Sequence, residues 1–285
     1  MNEQVKDLLK LMETDSSQYN TKFFTISSGK GGVGKTSFAV NYAYLLANTF
    51  KKKVLLIDAD VGMANIHVIM GLKVKNDIRK ILKETKIENL ITRKDNIDIL
   101  PGFSGIEEIG ELEDYALTRL IQKLSKISNR YDYILIDTSA GIDNRVISFI
   151  RASGRSYIIT NSEPTSMTDA YALIKSIRKL YGYTRFKIVV NMVSSHKEGI
   201  ETYERLKDSA KKFLGMELKL AGILPKTNNM TKAIKNKEIF CKIYPSEKFC
   251  IELKNIISRE TGESVPADSG KAFWGRVLRF LSRGK

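Results

Sequence analysis

Short unbroken apolar runs recur along the chain: Phe23–Ser27, Val54–Ile57, Ile97–Leu100, Tyr133–Ile136, Tyr157–Thr160, Phe186–Val190 and Leu218–Leu224. Runs of this length without polar alternation predict strands buried on both faces. Helical patterns lie between them. Thr36–Asn48 places Phe38, Tyr42, Leu45 and Leu46 on one side, and further helices are predicted from about Ser166, near Thr231–Lys237 and over Glu247–Arg259. Such alternation specifies an α/β fold, a mostly parallel twisted sheet with helices on both faces. The region Leu72–Leu124 is less regular and carries helices around the Ile97–Leu100 strand. Without a repeat or a second domain boundary, residues 21–260 read as one domain with helical extensions at 1–20 and 261–285.

Both extensions are amphipathic. Val5, Leu8, Leu9 and Met12 fall at helical spacing, followed by a polar linker to Thr21. A helix this short is marginal alone in water, so it packs on its own domain or waits for a partner's groove. At the other end, polar Thr261–Gly270 reads as a linker, and KAFWGRVLRFLSRGK follows. Phe273, Trp274, Val277, Leu278, Phe280 and Leu281 occupy one helical face, and Arg276, Arg279 and Arg283 the other. The segment Lys271–Lys285 has five basic residues and no acid. That pattern predicts a helix lying in a bilayer interface; the alternative is a last helix docked on the core.

The first strand empties into Gly29-Lys30-Gly31-Gly32-Val33-Gly34-Lys35-Thr36-Ser37. This fits G-x-x-x-x-G-K-[ST], the phosphate loop of P-loop NTPases. Glycines let several backbone N–H groups converge on one anion, and the following helix aims its positive end there. In this pattern Lys35 reaches the β- and γ-phosphates and Thr36 ligates Mg²⁺. The second and third buried strands deliver Asp58 and Asp60, then Asp137, to their carboxyl ends, where open parallel sheets bind ligands. Asp60 is the candidate to orient the attacking water, with Asp58 and Asp137 near the metal. Gly141, four residues beyond Asp137, is a candidate switch glycine.

With Lys30 inside the loop, GKGGVGKT resembles the deviant-Walker ATPases of the MinD/ParA family. In that family the extra lysine crosses a dimer interface to the other subunit's ATP, which makes Lys30 catalytic alongside Asp60. The resemblance also implies adenine contacts at Asn191 and at the Pro225-Lys226-Thr227 turn, where many relatives carry Pro-x-Asp. EPTSMTDAYALIK, beginning at Glu163, is very similar to a stretch of the FlhG, FleN or YlxH group of flagellar-number ATPases. Glu3–Leu9 is similar to that group's N-terminal DQAxxLR motif. Gln4 and Leu8 match it, while Val5 and Leu9 replace its alanine and arginine.

The resemblance implies a slow, dimer-dependent ATP hydrolase using ATP and Mg²⁺, sitting on the inner face of the cell membrane. Its expected role is control of flagellar number and placement. The expected partners are a second copy, an anionic membrane, an FlhF-type GTPase at Gln4, Val5, Leu8 and Leu9, and flagellar basal-body components. A division-site MinD and a nucleic-acid-binding ParA are the alternatives. The net charge of +15 over 285 residues suits an anionic partner without choosing lipid or nucleic acid. Nucleic acid is not expected, because phosphate-dominated binding needs a basic stripe on the fold. No apolar run approaches the roughly 20 residues of a membrane span. The two cysteines, Cys241 and Cys250, read as ordinary thiols of a reducing cytoplasm, far from the nucleotide loops.

Overall fold

The computed structural model describes residues 21–60, 65–72, 86–100, 102, 113–262 and 268–282. In chain order they form β1 (Lys22–Ser28), α1 (Lys35–Asn48), β2 (Val54–Ala59), α2 (Ile66–Ile69), β3 (Thr92–Lys94), β4 (Ile97–Leu100) and α3 (Glu113–Ile127). Next come β5 (Tyr133–Ala140), α4 (Asn144–Ala152), β6 (Arg155–Thr160), α5 (Pro164–Tyr181), β7 (Phe186–Val193) and α6 (His196–Leu214). The remainder is β8 (Lys219–Pro225), α7 (Asn228–Lys235), α8 (Phe240–Ile243), α9 (Lys248–Gly262) and α10 (Gly270–Leu281).

The described strands make one sheet in the order β3-β4-β2-β5-β1-β6-β7-β8. Every neighbouring pair is parallel except the edge pair β3–β4. The strand order reverses direction at β1, which puts the loop after β1 at a switch point of the topology. Alternate residues of each strand feed opposite layers, as the pleat requires. Phe24, Ile26, Leu56 and Leu135 pack with α1 and α9, whereas Phe23, Leu55, Ile57 and Ile134 pack with α3, α4 and α10. A third cluster covers the β6–β8 end with α4, α5 and α6.

In this conformation the C-terminal helix is docked on the core, the alternative to a helix lying in a bilayer interface. Phe273, Trp274 and Val277 are fully buried, Leu278 nearly so, and Phe280 and Leu281 half-buried. Phe273 stacks on Phe23 with ring centroids 3.9 Å apart, and Trp274 donates its indole N–H to Ser128 Oγ at 3.0 Å. A Cβ on Gly270 would lie 2.4 Å from Ser128 Cβ, so only glycine permits this approach. Arg276, expected on the basic face opposite the apolar one, donates to the Ala152 carbonyl and pairs with Asp268. The described end of the expected linker is tied to the fold: Asp268 bridges antiparallel to Thr21, and Ser269 caps α10 by accepting from the Ala272 N–H. The physical reason is a matching groove: the aromatic face of α10 completes a cluster that α3 and α4 leave open. Residues 268–282 are therefore part of the main domain in this conformation.

The cysteines are a correction. Cys241 of α8 and Cys250 of α9, both buried, form a disulfide with Cα atoms 5.5 Å apart. The turn between the two helices brings them together. Gln4, Val5, Leu8, Leu9 and Arg283 lie outside the described residues. Among the described residues no helix is long and apolar enough to cross a membrane.

Candidate functional site

The phosphate loop is shaped by positions where a side chain does not fit. A Cβ on Gly29 would lie 2.1 Å from the Asp169 carbonyl carbon of α5. Gly32 and Gly34 adopt φ of +80° and +83°, a region side chains rarely enter. Gly34 caps α1, and its carbonyl accepts from the Phe38 N–H at 2.9 Å. Val33 turns inward and is buried, while a Cβ on Gly31 would meet none of the described residues within 4 Å. Ser37 sits in the first turn of α1, its carbonyl accepting from Asn41 Nδ2 at 2.8 Å.

Beneath the loop, Lys35 Nζ reaches Asp137 Oδ1 at 3.0 Å, both groups buried. The Thr36 side chain lies near enough to Asp137 to favour its charged form. The register places Asp137 beside Asp58 across β5 and β2, and beside Ile26 of β1. Asp58 accepts the Asp60 N–H at Oδ1 (3.2 Å) and the Ile66 N–H at Oδ2 (3.1 Å), tying the strand end to α2. Burial, and then the charge of Asp137, raise its pKa to about 7. Burial also raises Asp137, against the opposing pull of Lys35. Asp60 is half-buried at the rim.

These residues fit a magnesium–nucleotide site in one specific respect. Asp137 Oδ2 is buried and has no hydrogen-bond partner among the described residues, an acceptor that costs free energy unless something occupies it. Among the described residues no cluster of three acids, histidines or cysteines could hold a metal by itself. A magnesium ion here would lean on water and phosphate oxygens, with Thr36 and Asp137 beside it, as that ion commonly does.

Lys30 stands at the edge of the loop. Its Nζ pairs with Glu163 Oε2 and donates to Thr165 Oγ1, each at 2.9 Å, and that lysine holds the Glu163 carboxyl below its ordinary range. Sequence reasoning used this stretch only as a family marker and missed Glu163 and Thr165 as partners of Lys30. Gly141 has φ +96° and donates its N–H to the Ser28 carbonyl at 2.9 Å. The residues expected around adenine have other work in this structure. Asn191 is buried and donates from Nδ2 to the Val33 carbonyl at 2.8 Å, bracing the phosphate loop. Thr227 caps α7 and donates to Glu247 Oε2 at 2.9 Å, and Pro225 ends β8.

A family model described as an AAA domain matches residues 21–190. The chain is 36% identical over 274 residues to the flagellum site-determining protein YlxH of Helicobacter pylori, covering 92% of this chain and 91% of that protein. It is 32% identical over 259 residues to the antiactivator FleN of Pseudomonas aeruginosa, covering 90% and 92%. Among solved structures, the cell division protein MinD of Aquifex aeolicus superposes with a TM-score of 0.66 at 26% identity, covering 87% of this chain and all of that one.

Proposed function

Because the chain belongs to the MinD/ParA family of P-loop ATPases, with FleN and YlxH among its relatives, we propose that it controls flagellar number and placement through ATP-dependent dimerisation. The observation that carries the nucleotide half of this reading is the buried Lys35–Asp137 pair under a glycine-shaped loop. Phosphates in the loop would give Lys35 a stronger partner than Asp137, and Asp137 would then be free to help hold a magnesium ion. Magnesium, when bound, supplies charge neutralisation for the phosphates. Asp60 at the rim orients the attacking water, a task of positioning more than basicity. Gly141, held to Ser28 in a conformation only glycine takes easily, links that site to the loop leading into α4.

Dimerisation face to face is supported by what stands around the loop. Lys30 is at its edge, and the neighbouring Ile142 and Met192 are 47% and 37% exposed, apolar surface beside the site. In a dimer Lys30 would exchange Glu163 and Thr165 for the partner's nucleotide. Membrane contact through α10 belongs to the same reading, but it requires the helix to leave its groove. Exposing each of Phe273, Trp274, Val277 and Leu278 to water costs about 1.5–3 kcal/mol, so bilayer and dimer together must offset that loss. The segment before Thr21 is proposed as the contact for an FlhF-type GTPase.

The test is genetic and biochemical together. Lys35→Ala should lose nucleotide binding, whereas Lys30→Ala and Asp60→Ala should bind ATP and fail to turn it over. Cells lacking the gene should show altered flagellar number, restored by the parent and not by Lys35→Ala. Normal flagellation in the deletion strain would sink the biological half, and parental turnover in Asp60→Ala the chemical half.

A further inference from the structure

At the edge of the sheet opposite the phosphate loop, three helix C-termini converge. The Arg151 guanidinium at the end of α4 lies 4.2 Å from the Tyr181 ring centroid of α5 and 4.7 Å from that of Phe280 in α10. Tyr181 and Phe280 meet edge to face at 5.4 Å. Beside this group opens a cleft of about 320 Å³, lined by Arg151, Tyr181, Gly182, Tyr183, Thr184 and Arg185. Arg185 is exposed and lies over the Tyr183 ring at 5.2 Å. The lining holds two arginines and no acid, and among the described residues no carboxylate pairs with either one.

Two like charges share one cleft at a cost unless something anionic answers them. Helix ends answer part of it. Arg151 sits in the last turn of α4, and Arg178 and Lys179 in the last turn of α5, where cations complement the terminal carbonyls. Arg185 belongs to no helix and receives nothing from that effect. The aromatic rings hold the guanidinium groups through cation–π contact, so their forks are oriented before any ligand arrives. A planar fork of N–H donors suits a phosphate, which it can engage bidentately. The volume is at the small end of the range for ligand pockets, about 300–1,000 Å³, enough for a phosphate carrying a short organic group.

We propose that this cleft binds a phosphate ester through Arg151 and Arg185. Either a small soluble phosphate or the headgroup of an anionic phospholipid supplies that chemistry. The ligand would sit against the end of α10, since Arg151 bridges the cleft to Phe280.

The experiment uses the full chain loaded with ADP and Mg²⁺, so that the phosphate loop is filled. One arm titrates sn-glycerol 3-phosphate by calorimetry; the other sediments the protein with phosphatidylglycerol or phosphatidylcholine vesicles. Arg185→Gln alters an exposed loop residue, and Arg151→Lys keeps the charge while removing the fork. Each should weaken binding at least tenfold in one arm, with the charge-matched control Lys211→Gln unchanged. Loss in the calorimetric arm identifies a soluble phosphate; loss with phosphatidylglycerol vesicles alone identifies a headgroup. If neither probe binds the parent, or both bind parent and variants alike, the site does not exist and the arginines only complement helix ends. The comparison is between variant and parent, so it reads the cleft independently of the proposed ATPase cycle.

Discussion

Trp274→Ala separates a docked tail from a free one most sharply. The indole is fully buried against Phe23, Phe149 and Phe273, and its N–H donates to Ser128 Oγ. Removing a buried tryptophan costs about 3–5 kcal/mol through lost transfer energy and the cavity left behind. The lost hydrogen bond adds only about 1 kcal/mol, because Ser128 Oγ still donates to the Leu124 carbonyl. At roughly 2 °C per kcal/mol for a chain of this size, the melting temperature should fall by roughly 8–12 °C. On a free surface helix the same change would stay within about 0.5 kcal/mol. Denaturation in urea followed by circular dichroism measures the loss. The parent offers a second reading, since Trp274 is its lone tryptophan. Its emission should be blue-shifted and resist acrylamide quenching in the ADP-bound protein. Water-like emission together with an unchanged urea midpoint in Trp274→Ala would refute the docked helix.

Glu163→Gln releases Lys30 from its ion pair and should raise ATP-dependent dimer formation by no more than about fivefold, as befits an exposed pair, with the gain vanishing in high salt. Analytical ultracentrifugation at two ionic strengths checks this, and a drop in dimer would show that Glu163 acts after the subunits meet. Asp58 keeps its proton to about pH 7 when folded but loses it near pH 4 when unfolded, so the native state holds the extra proton between those values. Without nucleotide and Mg²⁺, stability should therefore fall as pH rises from about 4 to about 7, and Asp58→Asn should flatten that slope. A parental slope in the variant would discard Asp58 as its source. Asn191→Ala leaves the Val33 carbonyl without its donor and should cost about 1–3 kcal/mol while weakening ADP binding; unchanged affinity would mean the loop needs no brace.

The strands were readable because burial on both faces writes a continuous apolar run, and β2, β5 and β7 were each located to within a few residues. The phosphate loop was readable for a different reason: its glycines and Lys35 answer local geometric demands that chain neighbours alone must meet. Helix α6 was missed because its buried face includes Gly199 and Thr202 beside Tyr203, Leu206 and Ala210, a stripe that looks polar. Its ends were signalled all the same. Ser195 accepts from the Glu198 N–H, Glu198 accepts from the Ser194 N–H, and Gly215 closes the helix in the left-handed region. Glu163 and Thr165 could not be paired with Lys30 from sequence, since more than 130 residues separate them. Nothing local distinguishes that pairing from a solvated lysine.

The tail shows where amphipathic periodicity stops deciding. A helix that lies in a bilayer and one that fills a groove present the same apolar face, and a basic opposite face permits both. The discriminating letters are the glycines. In a helix interior, as at Gly275, glycine costs about 1 kcal/mol of helix stability relative to alanine, and a lipid surface gives nothing back for the missing side chain. A packed neighbour does, because it can approach where the Cβ would be. Gly270 is occluded by Ser128 in that way, and Gly275 is buried in the same helix between Trp274 and Arg276. Glycine inside an otherwise aromatic face is thus a sequence signature of close backbone approach. It favours a docked helix over one lying on lipid, and at Gly270 it lets the start of α10 close on Ser128, whose Oγ accepts the Trp274 indole N–H.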